Sequence, residues 1–136
     1  MEHVSTVFIA DSAEEFCTGL SAVLQRTEGF LVAGTACDGE QAIRMITARQ
    51  PDILVLDLML AKQDGISVLR AISGLEHPPK VLATSVFMTE YISSAAANLG
   101  VQYLMLKPCD MEALVDRLEE IRGGESLRTE QLRRSD

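Results

Sequence analysis

Four side chains able to do chemistry each follow a short apolar segment. Asp11 and Asp57 supply carboxylates, Thr84 supplies a hydroxyl and Lys107 supplies an ammonium group. Two neighbouring carboxylates attract a hard divalent cation that prefers oxygen ligands, Mg²⁺ above all. A cation beside Asp57 would let this carboxylate receive a phosphoryl group, while Lys107 offsets charge and Thr84 hydrogen-bonds the phosphoryl oxygens. These residue types indicate phosphoryl transfer, provided that the fold brings them together.

The segment that ends in Asp57 predicts a buried strand. Residues 53–56 are four consecutive apolar residues, two of them β-branched, and Pro51 and Asp52 punctuate their start. Short apolar segments of this kind are typical of parallel sheets covered on both faces. A charged residue at the carboxyl end of such a strand lies where open α/β sheets bind their ligands.

The rest of the chain alternates between strand and helix patterns. Further strands are predicted at 4–10, 30–35, 80–85 and 102–106, and a helix follows each strand, the first at 13–26. Ser12-Ala13-Glu14-Glu15 has the form of a capping box, Thr89 and Asp110 can cap the fourth and fifth helices, and Gly100 suits the left-handed position after the fourth. Right-handed crossovers then predict an α/β fold with a parallel five-stranded sheet and helices on both faces.

This topology places the four candidate side chains at one edge of the sheet, because parallel strands share the edge where they end. Taken singly, each residue has an ordinary explanation. Asp11 could cap a helix, Asp57 could be a solvated acid, Thr84 could fill a strand and Lys107 could be an exposed amine. Their common position favours the functional interpretation, since chance does not select the same end of four strands.

Composition and charge exclude several classes of function. The 136 residues suffice for one domain, and 20 acidic against 12 basic residues give a net charge of −8. An acidic body argues against binding to nucleic acid or to an anionic membrane. The three cysteines form no metal or redox motif, no apolar segment approaches the length of a membrane span, and the amino end lacks a signal-peptide pattern. We expect a cytoplasmic protein with reduced thiols.

Several motifs together carry a family resemblance. Asp11, the segment Pro51-Asp52-Ile53-Leu54-Val55-Leu56-Asp57, Asp64-Gly65, Thr84 and Lys107-Pro108 stand in an order and spacing that resembles the receiver domain of bacterial two-component response regulators. The resemblance covers residues 4–122 and implies a flavodoxin-like (βα)5 three-layer sandwich with strand order 2-1-3-4-5. Residues 1–122 would form the receiver domain, and residues 123–136 a polar tail or a linker.

The resemblance also implies the roles of individual residues. Asp57 would accept a phosphoryl group from a phosphohistidine on a histidine kinase or phosphotransfer protein, and Thr84 and Lys107 would contact that group. Asp11 would hold Mg²⁺ through water, and the backbone carbonyl of Met59 would bind the cation directly. The bond between Lys107 and Pro108 is expected to be cis, which proline permits.

Partners and activity follow from the same resemblance. Phosphorylation would shift the surface of helix 4, strand 5 and helix 5, which could then form a homodimer or contact an output partner, including a DNA-binding domain outside this chain. Helix 5 carries mixed charges that could pair with a second copy, although most such charges are simply solvated. The domain is not expected to be an enzyme, beyond phosphorylating and dephosphorylating itself.

Four positions depart from the family pattern. Ser12 stands where the family has a second acidic metal ligand, so weak or absent metal binding is expected at this position. Ala61 and Leu60 replace a proline and a methionine, which predicts a looser loop after Asp57. Leu104 replaces the switching aromatic residue, and Tyr103 should face the opposite side of the sheet by strand alternation.

These departures leave an alternative open, in which a degenerate receiver acts as a phosphorylation-independent protein-interaction module. A flavin-binding or nucleotide-binding enzyme of the same architecture is disfavoured, because the acidic segment 11–15 repels phosphate. A phosphatase with an Asp-x-Asp nucleophile would require a carboxylate at position 59, which is Met.

Overall fold

A computed structural model describes residues 3–124 of the chain. Five strands alternate with five helices: β1 Ser5–Ala10, α1 Glu14–Gln25, β2 Phe30–Ala36, α2 Gly39–Arg49, β3 Ile53–Asp57, α3 Gly65–Ser73, β4 Lys80–Ser85, α4 Glu90–Asn98, β5 Tyr103–Leu106 and α5 Met111–Gly123. The predicted bounds agree to within one or two residues. Residues 125–136 of the predicted tail lie outside the described range. No helix within residues 3–124 is both long and apolar enough to cross a bilayer.

The five strands form one parallel sheet in the order β2-β1-β3-β4-β5, which confirms the flavodoxin-like prediction. All residues of the central strand β3 are buried, as its unbroken apolar sequence predicts. In the register of β3 and β4, Asp57 lies opposite Thr84. The sheet therefore brings two of the candidate residues side by side.

Strand alternation divides the apolar residues between two cores, one on each face of the sheet. One core joins Phe8, Leu54 and Leu56 to residues of α2, α3 and α4. The other joins Val7, Ile9 and Val55 to residues of α1 and α5. The helices thus cover both faces, and the ends of the strands are left as the accessible edge.

Side-chain caps begin four of the five helices. Asp38, Asp64, Thr89 and Asp110 each accept a hydrogen bond from a backbone amide of the helix that follows. The predicted caps at Thr89 and Asp110 are confirmed, and Gly100 has the predicted positive φ, +85°.

The capping box predicted at Ser12 is wrong. The N-cap residue of α1 is Ala13, and no side chain of the described residues caps this helix. The Asp11 carboxylate instead accepts a hydrogen bond from the Ala13 amide at 2.8 Å. Since Asp11 is buried and already aimed at this turn, the exposed Ser12 hydroxyl is left without a structural role at the helix start.

Candidate functional site

Three charged side chains meet at the carboxyl edge of the sheet. Lys107 Nζ lies 2.6 Å from Asp11 Oδ2 and 3.6 Å from Asp57 Oδ2. Asp11 follows β1, Asp57 ends β3 and Lys107 follows β5, so three separate strands supply them. The two carboxylates are almost fully buried, with 1% and 7% of their residue surface exposed. Buried acids of this kind require a cation nearby, and Lys107 is one.

Each carboxylate is also oriented by a backbone amide. Asp11 Oδ1 accepts from the Ala13 amide at 2.8 Å, and Asp57 Oδ1 accepts from the Met59 amide at 2.9 Å. Both bonds run to the residue two positions later, as in the side-chain turns that Asp forms. In both acids the second oxygen, Oδ2, faces Lys107.

Lys107 is held by charge and by an aromatic ring. Its ammonium lies 4.8 Å from the centroid of the Phe16 ring, within the range of a cation–π contact. Burial opposes the charged form, but the hydrogen bond to Asp11 and the charges of Asp57 and Asp11 outweigh it and raise the pKa of Lys107. Phe16 lies within the predicted first helix and was not predicted as part of the site, because an apolar residue of a helix gives no sign of a contact with a distant lysine.

Thr84 brings a hydroxyl to the same edge. Its residue is fully buried, and its Oγ1 has no hydrogen-bond partner among the described residues. A buried hydroxyl without a partner is costly unless it serves a ligand. The neighbouring Ser85 differs, because its Oγ accepts a hydrogen bond from the Phe87 amide at 3.2 Å.

The donor set fits a hard divalent cation, but with few charged ligands. Asp11 and Asp57 offer carboxylate oxygens, and oxygen is the ligand atom that Mg²⁺ prefers. Ser12 is exposed and can offer only a hydroxyl. No group of three acidic, His or Cys side chains within residues 3–124 is arranged to hold a metal. The described residues therefore offer such a cation two carboxylates.

The loop that follows Asp57 is tied down despite Ala61, where a looser loop was expected. The Leu58 amide donates to the Thr84 carbonyl at 2.8 Å, and the Gly39 amide donates to the Ala61 carbonyl at 3.1 Å. Ala61 also forms an isolated parallel bridge with Asp38. The sequence analysis did not predict this contact, because it joins residues that lie far apart along the chain.

Positions 103 and 104 face opposite sides of the sheet, as predicted. Tyr103 packs in the core under α1 and α5, and its hydroxyl donates to Glu120 Oε1 at 2.6 Å. Leu104 packs against the core under α2, α3 and α4. Leu104, at the position of the family's switching aromatic residue, is therefore aliphatic. Tyr103 is instead hydrogen-bonded to α5.

The bond between Lys107 and Pro108 is cis, as the resemblance implied.

Comparisons with known proteins agree with this geometry. The family model of the response regulator receiver domain matches residues 7–119. The signal receiver domain of the response regulator NarL from Mycobacterium tuberculosis is 27% identical, with a TM-score of 0.82 over 90% of this chain and 99% of that one. A chain of the CheX–CheY–BeF3–Mg²⁺ complex from Borrelia burgdorferi is 26% identical, with a TM-score of 0.78 over 86% and 88%.

A third structure shares the fold at lower identity. It is a DNA-binding response regulator of the LuxR family from Staphylococcus aureus, 19% identical, with a TM-score of 0.80 over 88% of this chain and 99% of that one. The chain belongs to the response regulator receiver family and is a receiver domain of the two-component type.

Proposed function

We propose that Asp57 accepts a phosphoryl group from a phosphohistidine on a histidine kinase or a phosphotransfer protein, and that this change switches an output or dimer surface. One observation carries the proposal. The buried carboxylate of Asp57 faces the Lys107 ammonium at 3.6 Å, and the unpartnered hydroxyl of Thr84 lies on the adjacent strand position. Membership of the receiver family supports the same role.

The transfer uses a small number of groups. An oxygen of Asp57 forms the new bond to phosphorus, while the bond from phosphorus to the donor imidazole breaks and the nitrogen keeps its electron pair. Lys107 offsets negative charge on the phosphoryl oxygens, and Thr84 can donate a hydrogen bond to one of them. Positioning and electrostatics supply most of the catalysis in such transfers, so the domain needs no further enzymatic residues and is not itself an enzyme for another substrate.

We assign the cation site to Asp11, acting through water, to Asp57 and to the backbone carbonyl of Met59. Ser12 would contribute a weak ligand or none. When bound, Mg²⁺ supplies positive charge that offsets the transferring group. The similar CheX–CheY–BeF3–Mg²⁺ complex supports this choice of cation. Replacement of Ser12 by Asp should tighten Mg²⁺ binding, whereas Gln25→Asp adds the same charge at the exposed far end of α1 and should not.

The test of phosphoryl acceptance is mass spectrometry of the intact protein after incubation with a small phosphodonor and Mg²⁺. The wild-type chain should gain one phosphoryl group, and Asp57→Asn should gain none. Equal labelling of both proteins would place the acceptor elsewhere. If neither is labelled and Mg²⁺ does not promote beryllofluoride binding, the chain acts as an interaction module without phosphorylation.

The proposed switching surface comprises α4, β5 and α5. Large apolar side chains are exposed around α4 and the end of β5, namely Val86, Phe87, Met88, Tyr91 and Leu106. The charges of α5 are less available, because Arg117 pairs with Glu120 and Arg122 with Glu119 inside the helix. Apolar contacts therefore support a homodimer or an output partner better than the charged face does.

The cellular setting is part of the proposal. Cys17, Cys37 and Cys109 are free thiols, which suits a reducing compartment such as the cytoplasm. An output domain outside this chain would bind DNA, as the similar protein from S. aureus does. The segments 54–57, 64–65, 106–108 and 110–115 resemble the receiver of stage 0 sporulation protein A. Faster phosphorylation by a sporulation phosphotransfer protein than by an unrelated one would support a role in sporulation.

A further inference from the structure

The amino end of α2 packs directly on the loop that follows Asp57. Gly39 donates its amide to the Ala61 carbonyl, and Asp38 and Ala61 form a parallel bridge. Lys62 Nζ also lies 3.6 Å from Asp38 Oδ2. We call these residues, Asp38, Gly39, Ala61 and Lys62, the α2–loop contact. It joins the phosphoacceptor loop to an element that carries none of the candidate site residues.

Gly39 permits this contact because it has no side chain. A Cβ atom there would lie 2.0 Å from the carbonyl oxygen of Gln63, 2.4 Å from its Cβ and 2.7 Å from its carbonyl carbon. Two of these atoms are backbone, so the loop itself would have to move. The φ angle of Gly39 lies outside the left-handed region, so close approach and not backbone conformation requires the glycine.

The loop is anchored on both sides of Met59. Before it, the Leu58 amide donates to the Thr84 carbonyl, and after it Leu60 is buried in the core. The Met59 amide donates to Asp57 Oδ1 at 2.9 Å. Between these points the backbone of Met59 has little freedom, and the α2–loop contact fixes the residue that follows Leu60.

We propose that Gly39 is a positioning residue of the phosphoacceptor site, because its close packing sets where Met59 lies relative to Asp57. The inference rests on the proposed function, in which the Met59 carbonyl binds the cation. The ion pair of Lys62 with Asp38 contributes little, since 62% of the Lys62 side chain is exposed. Gly39 and the backbone bond to Ala61 therefore carry the contact.

The test compares Gly39→Ala with the wild type by calorimetric Mg²⁺ titration and by hydrogen exchange of the Met59 amide. Alanine favours a helix more than glycine does, so a role confined to α2 predicts unchanged Mg²⁺ affinity. The positioning role predicts Mg²⁺ binding weakened about tenfold, as for residues that orient metal ligands, together with faster exchange at Met59. A folded variant with neither change would overturn the proposal.

Gly74→Ala is the matched control. Gly74 is the C-cap residue of α3, whereas Gly39 is the first residue of α2. A Cβ atom at Gly74 would lie 3.9 Å from the backbone oxygen of Ala71. This variant should bind Mg²⁺ like the wild type. A loss equal to that of Gly39→Ala would show a general effect of the glycine replacement and would overturn the proposal.

If Gly39→Ala does not fold, hydrogen exchange and Mg²⁺-dependent resonance shifts of the wild-type protein test the positioning role of Gly39. The Gly39 amide should exchange slowly, because it donates a hydrogen bond from α2 to the Ala61 carbonyl of the loop. Its resonance and that of Met59 should both shift on addition of Mg²⁺. Exchange at the rate of an unstructured amide would overturn the proposal. If the wild type binds no Mg²⁺, the proposed function fails, and protection of the Gly39 amide still tests the contact itself.

Discussion

Asp11 has both of its carboxylate oxygens occupied. One oxygen accepts a hydrogen bond from the Ala13 amide, and the other lies 2.6 Å from Lys107 Nζ. Asp57 Oδ2 is farther from the same nitrogen, at 3.6 Å. With Ser12 in place of an acidic ligand, the Lys107 ammonium neutralises the acids that a divalent cation would also use. At the proposed cation site, Lys107 and Mg²⁺ would therefore compete for Asp11.

This competition predicts the effect of Lys107→Met. Removal of the ammonium should tighten Mg²⁺ binding by roughly tenfold, because a unit positive charge beside the two carboxylates that would hold the cation is lost. Phosphorylation by a small donor should become slower, since the same charge offsets the phosphoryl group. Calorimetric titration measures the first effect and mass spectrometry the second. Lys80→Met, which removes an exposed ammonium at the opposite end of β4 from the site, should change neither, and equal affinities for all three proteins would refute the competition.

Cys17 and Cys37 should differ in reactivity because one thiol is buried near Asp11 and the other is exposed. Burial, followed by the charge of Asp11, raises the pKa of Cys17 to about 11, whereas Cys37 is exposed. A thiol with a raised pKa stays protonated, so at pH 8 only about one in a thousand Cys17 side chains is the reactive thiolate. Iodoacetamide at pH 8 should label Cys37 first and Cys17 only after unfolding, as peptide mapping would show. Rapid labelling of Cys17 in the native protein would contradict this.

At the scale of elements, local sequence signals predicted more than long-range contacts. Thr89 and Asp110 were identified as caps because a cap depends on residues only three positions apart. Ser12 satisfied the same rule and failed, because the buried Asp11 carboxylate takes the first amide of the turn. The packing of Gly39 on Gln63 leaves no local signal, since it depends on how α2 and the loop after β3 come together.

The cap of α4 can be tested by Thr89→Ala. Thr89 Oγ1 accepts from the Ile92 amide at 3.1 Å, and this helix is short and has a single buried residue, Ala96. Loss of the cap should lower the free energy of unfolding by about 1 kcal/mol. Urea unfolding monitored by circular dichroism measures it, and Thr89→Ser should retain most of the stability. If Thr89→Ala is as stable as the wild type, the cap does not stabilise α4.

At the scale of the whole molecule, the topology and the site were predictable together. The alternation of apolar strands with capped helices fixes a parallel sheet, and a parallel sheet brings Asp11, Asp57, Thr84 and Lys107 to one edge. Distances within the site were not predictable, because side-chain packing decides that Lys107 lies nearer Asp11 than Asp57. The same packing places Phe16 beside the ammonium.

The apolar surface around α4 and β5 leads to a prediction about assembly. Leu106, 52% exposed at the end of β5, lies one residue from Lys107, so a change at the phosphoacceptor site can reach it directly. With beryllofluoride and Mg²⁺ the wild-type chain should form dimers, detected by sedimentation velocity, and Leu106→Glu should remain monomeric because a buried unpaired carboxylate is costly. Leu31→Glu is the control, since Leu31 is similarly exposed on the edge strand β2. Dimers of Leu106→Glu would exclude this surface, and a wild type that stays monomeric while it binds beryllofluoride would assign the surface to an output partner.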